Sequence, residues 1–130
     1  MRHLFGTDGI RGVAGEYPLD ARTVERIGLA LAWTLREEEK AERPRILIGR
    51  DTRESGPKLE SALVSGIRLA GGEPVLTGVV TTPAVAHMVR AGNCDAGVVI
   101  SASHNPYEDN GIKIFSRKGT KLPDGEEISI

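Results

Sequence analysis

Apolar residues recur at Val24, Ile27, Leu31 and Leu35, spacings of three and four that give one apolar helix face. Asp20 precedes them as a candidate N-cap, and the run Arg36-Glu37-Glu38-Glu39-Lys40 reads as the solvated end of that helix. Arg45-Ile46-Leu47-Ile48-Gly49 follows Pro44 as a short, β-branched apolar run, the pattern of a buried strand in a parallel sheet. Ser55-Gly56-Pro57 then offers a cap and a first-turn proline for a helix through Leu59, Leu63, Ile67 and Ala70, closed by Gly71-Gly72. Pro74 to Gly78 predicts another strand, and Thr82-Pro83 opens a third helix through Val85, Met88 and Val89, with Gly92 at its end. Ala96 to Ile100 is the most apolar strand. Asp109-Asn110-Gly111 is a strong turn signal, and Ile112-Lys113-Ile114-Phe115 alternates as a strand with one polar face.

Strands alternating with helices require crossover connections, hence a mainly parallel sheet with helices on both faces. The link from Tyr107 to Gly111 is too short for a crossover helix, so the last strand is expected to run antiparallel to its predecessor. The predicted fold is a three-layer α/β/α domain, with a mainly parallel mixed sheet and one antiparallel edge strand. At 130 residues one domain is the default. The tail from Lys118 onward has the composition of a segment that starts something new, so a domain boundary is expected there.

Composition narrows the function classes. Seventeen basic and 18 acidic residues leave a net charge of -1, with no overall field to attract nucleic acid or an anionic membrane. Aromatic residues are only 4%, too few for a base-stacking platform. No stretch reaches the roughly 20 apolar residues of a membrane span, and polar Thr7, Asp8 and Arg11 interrupt any secretory signal. A cytoplasmic location is expected, with no nucleic-acid or membrane partner. The lone Cys94 has no partner for an intramolecular disulfide and is expected to be inert.

Ligands in open α/β sheets bind beyond the carboxyl ends of the strands. Three polar segments fall there: Arg50-Asp51-Thr52-Arg53, Thr81-Thr82-Pro83, and Ser101-Ala102-Ser103-His104-Asn105-Pro106. The third gathers hydroxyls, an imidazole and an amide, and Pro106 stiffens its backbone; a plain turn would have a similar composition. Lys113, on the polar face of the returning strand, and Arg11, in the glycine-rich opening, are the cations available to it. Serine hydrolase chemistry is disfavoured: His104 adjoins Ser103, so in an extended segment the two point to opposite sides, and the Gly-x-Ser-x-Gly elbow is absent. No Walker loop occurs, and His3, His87 and His104 lack zinc-site spacing. His87, inside the third helix, reads as a structural residue at or near the surface.

Gly6-Thr7-Asp8-Gly9-Ile10-Arg11-Gly12, Gly49-Arg50-Asp51-Thr52-Arg53, the Ser101 to Pro106 segment and Asn110-Gly111-Ile112-Lys113 together resemble the α-D-phosphohexomutase family, over essentially the whole chain. The opening motif and Ser101 resemble the branch acting on glucosamine phosphates more than the branches acting on mannose or glucose phosphates. The resemblance implies ping-pong phosphoryl transfer through a phosphoserine and a bisphosphorylated sugar. On matching positions, Ser103 would carry the phosphate and Arg11 would bind it. Lys113 would be a general acid/base or phosphate clamp, and His104 would flank the phosphoserine. Mg²⁺ would take one oxygen of the Ser103 phosphate. A phosphoserine carries roughly -1.5 to -2 charges near neutral pH and needs such cations and donors.

The chain departs from the family in lacking its second, third and fourth domains, including the metal-binding Asp-Gly-Asp-x-Asp-Arg loop. Residues 1–130 are therefore expected to act as the first, phosphoserine domain of a larger enzyme and to be catalytically silent alone. The expected partners are a hexose or hexosamine phosphate and the remaining domains. Apolar faces that would meet the second domain are expected to be bare, which makes a homodimer a further expectation. Phosphomannomutase or phosphoglucomutase activity, and phosphosugar binding without turnover, remain as alternatives.

Overall fold

The computed structural model describes residues 9–38, 40–102 and 108–117. The elements follow in the order β1 (Ile10–Val13), α1 (Ala21–Glu38), β2 (Arg45–Arg50), α2 (Gly56–Leu69), β3 (Glu73–Val79), α3 (Thr82–Ala91), β4 (Ala96–Ile100) and β5 (Asp109–Ser116). One five-stranded sheet runs β1-β5-β4-β2-β3. Strands β3, β2 and β4 are parallel, and β5 is antiparallel to both of its neighbours. The last strand thus runs as its short connection requires. It is not an edge strand, however, because β1 adds outside it. Four residues with two glycines nearby carry too little periodicity to announce β1 from sequence; backbone pairing with Asp109 to Ile112 makes it a strand.

Alternation along the strands divides the core between two faces. Ile46, Ile48, Val98, Ile100 and Ile112 pack with α1 and α2 residues such as Ile27, Leu31, Leu63 and Ile67. Leu47 and Val99 pack on the other face with Val85 and Val89 of α3. The result is the three-layer α/β/α arrangement, two helices over one face and one over the other. Helices α1 and α2 touch nearly backbone to backbone. A Cβ on Gly28 or Gly66 would run into main-chain atoms of the opposite helix.

The caps divide according to what else competes for the side chain. Asp20 Oδ2 accepts from Thr23 N at 3.2 Å and caps α1; the Thr23 side chain holds its carboxyl below the usual range. Thr81 Oγ1 accepts from Ala84 N at 3.2 Å at the start of α3. Ser55 is the expected cap of α2, but it makes no capping bond. Its hydroxyl instead accepts from Asn110 Nδ2 at 2.8 Å. Arg36, Glu37, Glu38 and Lys40 are exposed, as is His87, in keeping with surface roles. Large apolar side chains also reach solvent: Leu29 and Trp33 on α1, Leu69 at the end of α2, and Leu76 and Val79 on edge strand β3.

Candidate active site

The carboxyl ends of β2, β3 and β4 are tied together by main-chain bonds. Asp51 N donates to Ile100 O at 3.1 Å and Val80 N to Arg50 O at 3.0 Å. A bulge contributes to this geometry: the β2–β3 register shifts between Ile48 and Gly49, Gly78 takes φ 75, and Thr77 Oγ1 donates to Ile48 O at 3.0 Å. The first two polar segments named from sequence, and Ser101-Ala102 at the start of the third, therefore emerge at one end of the sheet.

Arg11 reaches this end from β1. It pairs with Gly111 of β5, and its Nη1 donates to Ala102 O at 3.1 Å. Lys113 lies two residues beyond Gly111 and pairs with Val99 of β4. Side chains two apart on a strand share a face, so Arg11 and Lys113 project from the same side of the sheet. Two glycines clear the space for them. A Cβ on Gly9, at φ 87, would strike Ile112 O and lie 3.0 Å from Lys113 Cγ; one on Gly111 would lie 2.8 Å from Ser101 O and 3.2 Å from Arg11 Cγ. Two cations thus stand beside the end of β4, where Ser101 and Ala102 are buried. Ser103 and His104 fall outside the described residues.

Asp109-Asn110-Gly111, expected as a turn, begins strand β5. The local side-chain bonding that makes Asn a turn former is still present, since Gly111 N donates to Asn110 Oδ1 at 2.9 Å. The strand wins because Gly111 pairs with Arg11 and Asn110, fully buried, spends its amide on Ser55. Arg53 was not singled out from sequence. It is only 8% exposed; its Nε donates to Asp51 Oδ2 at 3.1 Å, and its Nη1 to Asp109 O at 3.1 Å. The available signal was a second arginine in a strand-end segment already rich in charge.

Among the described residues no group of three or more His, Cys, Asp or Glu side chains could hold a metal ion. The Asp51 carboxylate is engaged by Arg53. Cys94 is buried, and that burial pushes its thiol above the usual range, which fits an inert residue.

Residues 2–130 match the family described as phosphoglucomutase/phosphomannomutase, alpha/beta/alpha domain I. The chain belongs to this family. A phosphoglucosamine mutase from Syntrophus aciditrophicus (strain SB) is 55% identical over 130 residues, covering 100% of this chain and 28% of that protein. A phosphoglucomutase/phosphomannomutase family protein from Burkholderia thailandensis superposes with a TM-score of 0.76 at 32% identity, over 92% of this chain and 27% of that one. A structure from Thermus thermophilus gives a TM-score of 0.82 at 30% identity, over 95% of this chain and 28% of that one. The chain thus spans about 28% of the length of the curated relatives it matches. The family resemblance drawn from the motifs and the α/β fold drawn from the order of helices and strands both hold.

Proposed function

We propose that residues 1–130 form the phosphoserine domain of a phosphoglucosamine mutase, which interconverts glucosamine 6-phosphate and glucosamine 1-phosphate as part of amino-sugar and cell-wall precursor synthesis. The observation that carries the reading is the pairing of Arg11 with the Ala102 carbonyl, with Lys113 on the same face. It brings one cation to the residue preceding Ser103 and sets a second on the same side of the sheet. The 55% identity to phosphoglucosamine mutases over the whole chain favours the hexosamine branch over phosphomannomutase or phosphoglucomutase activity.

In this reading, an oxygen of the sugar phosphate's free hydroxyl attacks the phosphorus on Ser103. The P–O bond to Oγ breaks, and the proton shed by the hydroxyl balances the serine left behind. The bisphosphorylated sugar turns over, Ser103 Oγ takes the other phosphate, and the isomeric monophosphate leaves. Phosphoryl transfer depends mainly on positioning and on neutralising charge on the transferring oxygens. Arg11 supplies a planar donor set suited to a phosphate. Lys113 relays the proton or clamps the phosphate, and His104 flanks the phosphoserine. Mg²⁺ would add neutralising charge, held chiefly by the remaining domains and bound here only through the Ser103 phosphate. We read the parent enzyme as cytoplasmic, from its proposed substrate, and as a homodimer; no described helix is long and apolar enough to cross a membrane.

Intact-mass spectrometry with peptide mapping of the full-length parent tests the proposal. One phosphate on Ser103 is expected, lost together with mutase activity in Ser103→Ala. An active parent indifferent to that substitution would reject the mechanism.

A further inference from the structure

The outer face of α1 carries a row of residues that packing within the domain does not explain. Arg22, Arg26, Leu29, Trp33 and Glu37 recur at spacings of four, three, four and four, which sets them in one line along a helix, and all five are exposed. Trp33 at 55% and Leu29 at 39% leave large apolar side chains in water. Leu69 of α2 is 67% exposed as well, three positions after Gly66, where α2 meets the main chain at Leu29. Exposed apolar surface rimmed by charge marks a contact with another macromolecule.

The charges on this row run against the helix. A helix N-terminus favours acids and its C-terminus favours bases, yet α1 has no acid in its first turn and ends on Glu37 and Glu38. Arg22 stands in that first turn and Arg26 follows four residues on, a like-charge pair that destabilises an isolated helix. Arg36, the base of the last turn, is drawn aside to the Ala70 carbonyl at 2.9 Å. An antiparallel copy of the same helix offsets all of this, because it lays an acidic C-terminus beside a basic N-terminus and opposes the two dipoles. The positions match: Arg22 and Glu37 are centred on the same point of the helix as Arg26 and Trp33, between Leu29 and Ala30. A twofold axis through that point brings both pairs together and sets Leu29 nearly opposite its own counterpart. The row also faces away from the chemistry. Ile10, Ile112 and Ile114 pack with α1 and α2, so the alternating Arg11 and Lys113 project from the α3 side of the sheet.

We propose that this face of α1 is the interface between two copies of the parent enzyme, their α1 helices antiparallel: Arg22 pairs with the partner's Glu37, the Arg26 guanidinium lies on the ring of the partner's Trp33, and Leu29 meets its counterpart at the axis. The inference rests on the homodimer reading above and gives it a surface. The contact is isologous, so it closes at two copies. A guanidinium on an indole face is the favoured cation–π pair, and Trp and Arg are the side chains that most often dominate an interface. The remaining domains of the parent have to meet the sugar phosphate where Arg11 and Lys113 stand, across the sheet, which leaves α1 to the second copy.

Sedimentation of the full-length parent over a range of concentrations tests the surface. The wild type should be a dimer at high concentration. Trp33→Ala should weaken it at least about 30-fold, and Arg22→Glu or Glu37→Arg about 10-fold each, with the Tm of the dilute monomer unchanged because all three side chains are exposed there. Arg22 and Glu37 stand about 22 Å apart along one helix, too far to pair within a chain. An equimolar mixture of Arg22→Glu and Glu37→Arg chains, in which both cross-pairs again join opposite charges, should therefore recover the wild-type dimer. A wild-type dimer that none of the three variants loosens, or a mixture as weak as either variant alone, overturns the interface and moves the homodimer to another face. A fall in the Tm of dilute Trp33→Ala would reveal one of the parent's own domains on α1 and overturn it equally. A wild type that stays monomeric at every concentration overturns the homodimer reading itself, whereas phosphate on Ser103, read separately by mass, is indifferent to all of these outcomes.

Discussion

Gly111→Ala separates the stability of this sheet from its chemistry. Gly111 lies in β5 with β4 on one side and β1 on the other. The added Cβ would sit 2.8 Å from Ser101 O, 2.9 Å from Ile10 O and 3.2 Å from Arg11 Cγ. Two of these are main-chain atoms in neighbouring segments, so no rotamer change relieves them. With comfortable carbon contacts near 3.5 Å, the two carbonyl oxygens must retreat by about 0.6–0.7 Å and Arg11 Cγ by about 0.3 Å. Overpacking of this kind costs about 1–3 kcal/mol, which for a domain of this size is a fall in Tm of roughly 5–12 °C. The same retreat moves Arg11 by a few tenths of an ångström relative to the Ala102 carbonyl, which should lower kcat measurably but by less than the about 100-fold that a 1 Å misplacement costs. Gly66→Ala is the control. Its Cβ also meets main chain, but between α1 and α2: it would run into Glu25 O, and it would lie 2.7 Å from Leu29 N and 2.9 Å from Glu25 C. The better helix propensity of alanine returns about 1 kcal/mol there but offsets only part of the deeper overlap with Glu25 O, so the fall in Tm should be at least as large. Thermal unfolding of the chain, paired with kcat per folded molecule of the parent, reads both effects. If Gly111→Ala kept wild-type Tm and kcat, or if both variants lost kcat alike, the reasoning would fail.

Two further predictions concern titrating groups. Asp20→Ala removes the α1 cap and should cost about 1 kcal/mol by thermal or urea unfolding. Because the Asp20 carboxyl is held below its ordinary value of 3.8, its contribution is present above that pH and lost as pH falls through the lowered folded value. A wild type and Asp20→Ala pair with the same stability difference at pH 7 and pH 2 would contradict the cap. The Cys94 thiol, raised by burial above 9.0, should react with a thiol reagent at pH 8 far more slowly in the native chain than after denaturation. Its burial favours the folded state fully below pH 9.0 and progressively less as pH rises through the folded value; equal reaction rates in both states would refute the buried thiol.

Much of this domain was readable along the chain because its signals are local. The apolar spacing of Val24, Ile27, Leu31 and Leu35, the caps at Asp20 and Thr81 and the glycines after α2 and α3 act within a few residues, so three helices and four strands followed from sequence. The short span between β4 and β5 likewise dictated the direction of the last strand. What tertiary structure alone decided depends on partners distant in sequence. Strand β1 exists because β5 pairs with it across about a hundred residues, and that pairing moves the antiparallel strand from the edge to the interior. Ser55 gives up its capping role because Asn110 arrives 55 positions later with an amide to satisfy. Arg53 reaches the Asp109 carbonyl only when the start of β5 is laid against the end of β2. Local propensity fixes what a segment can be, but a buried polar side chain takes the partner that desolvation leaves within reach, and that choice is made only when the sheet closes.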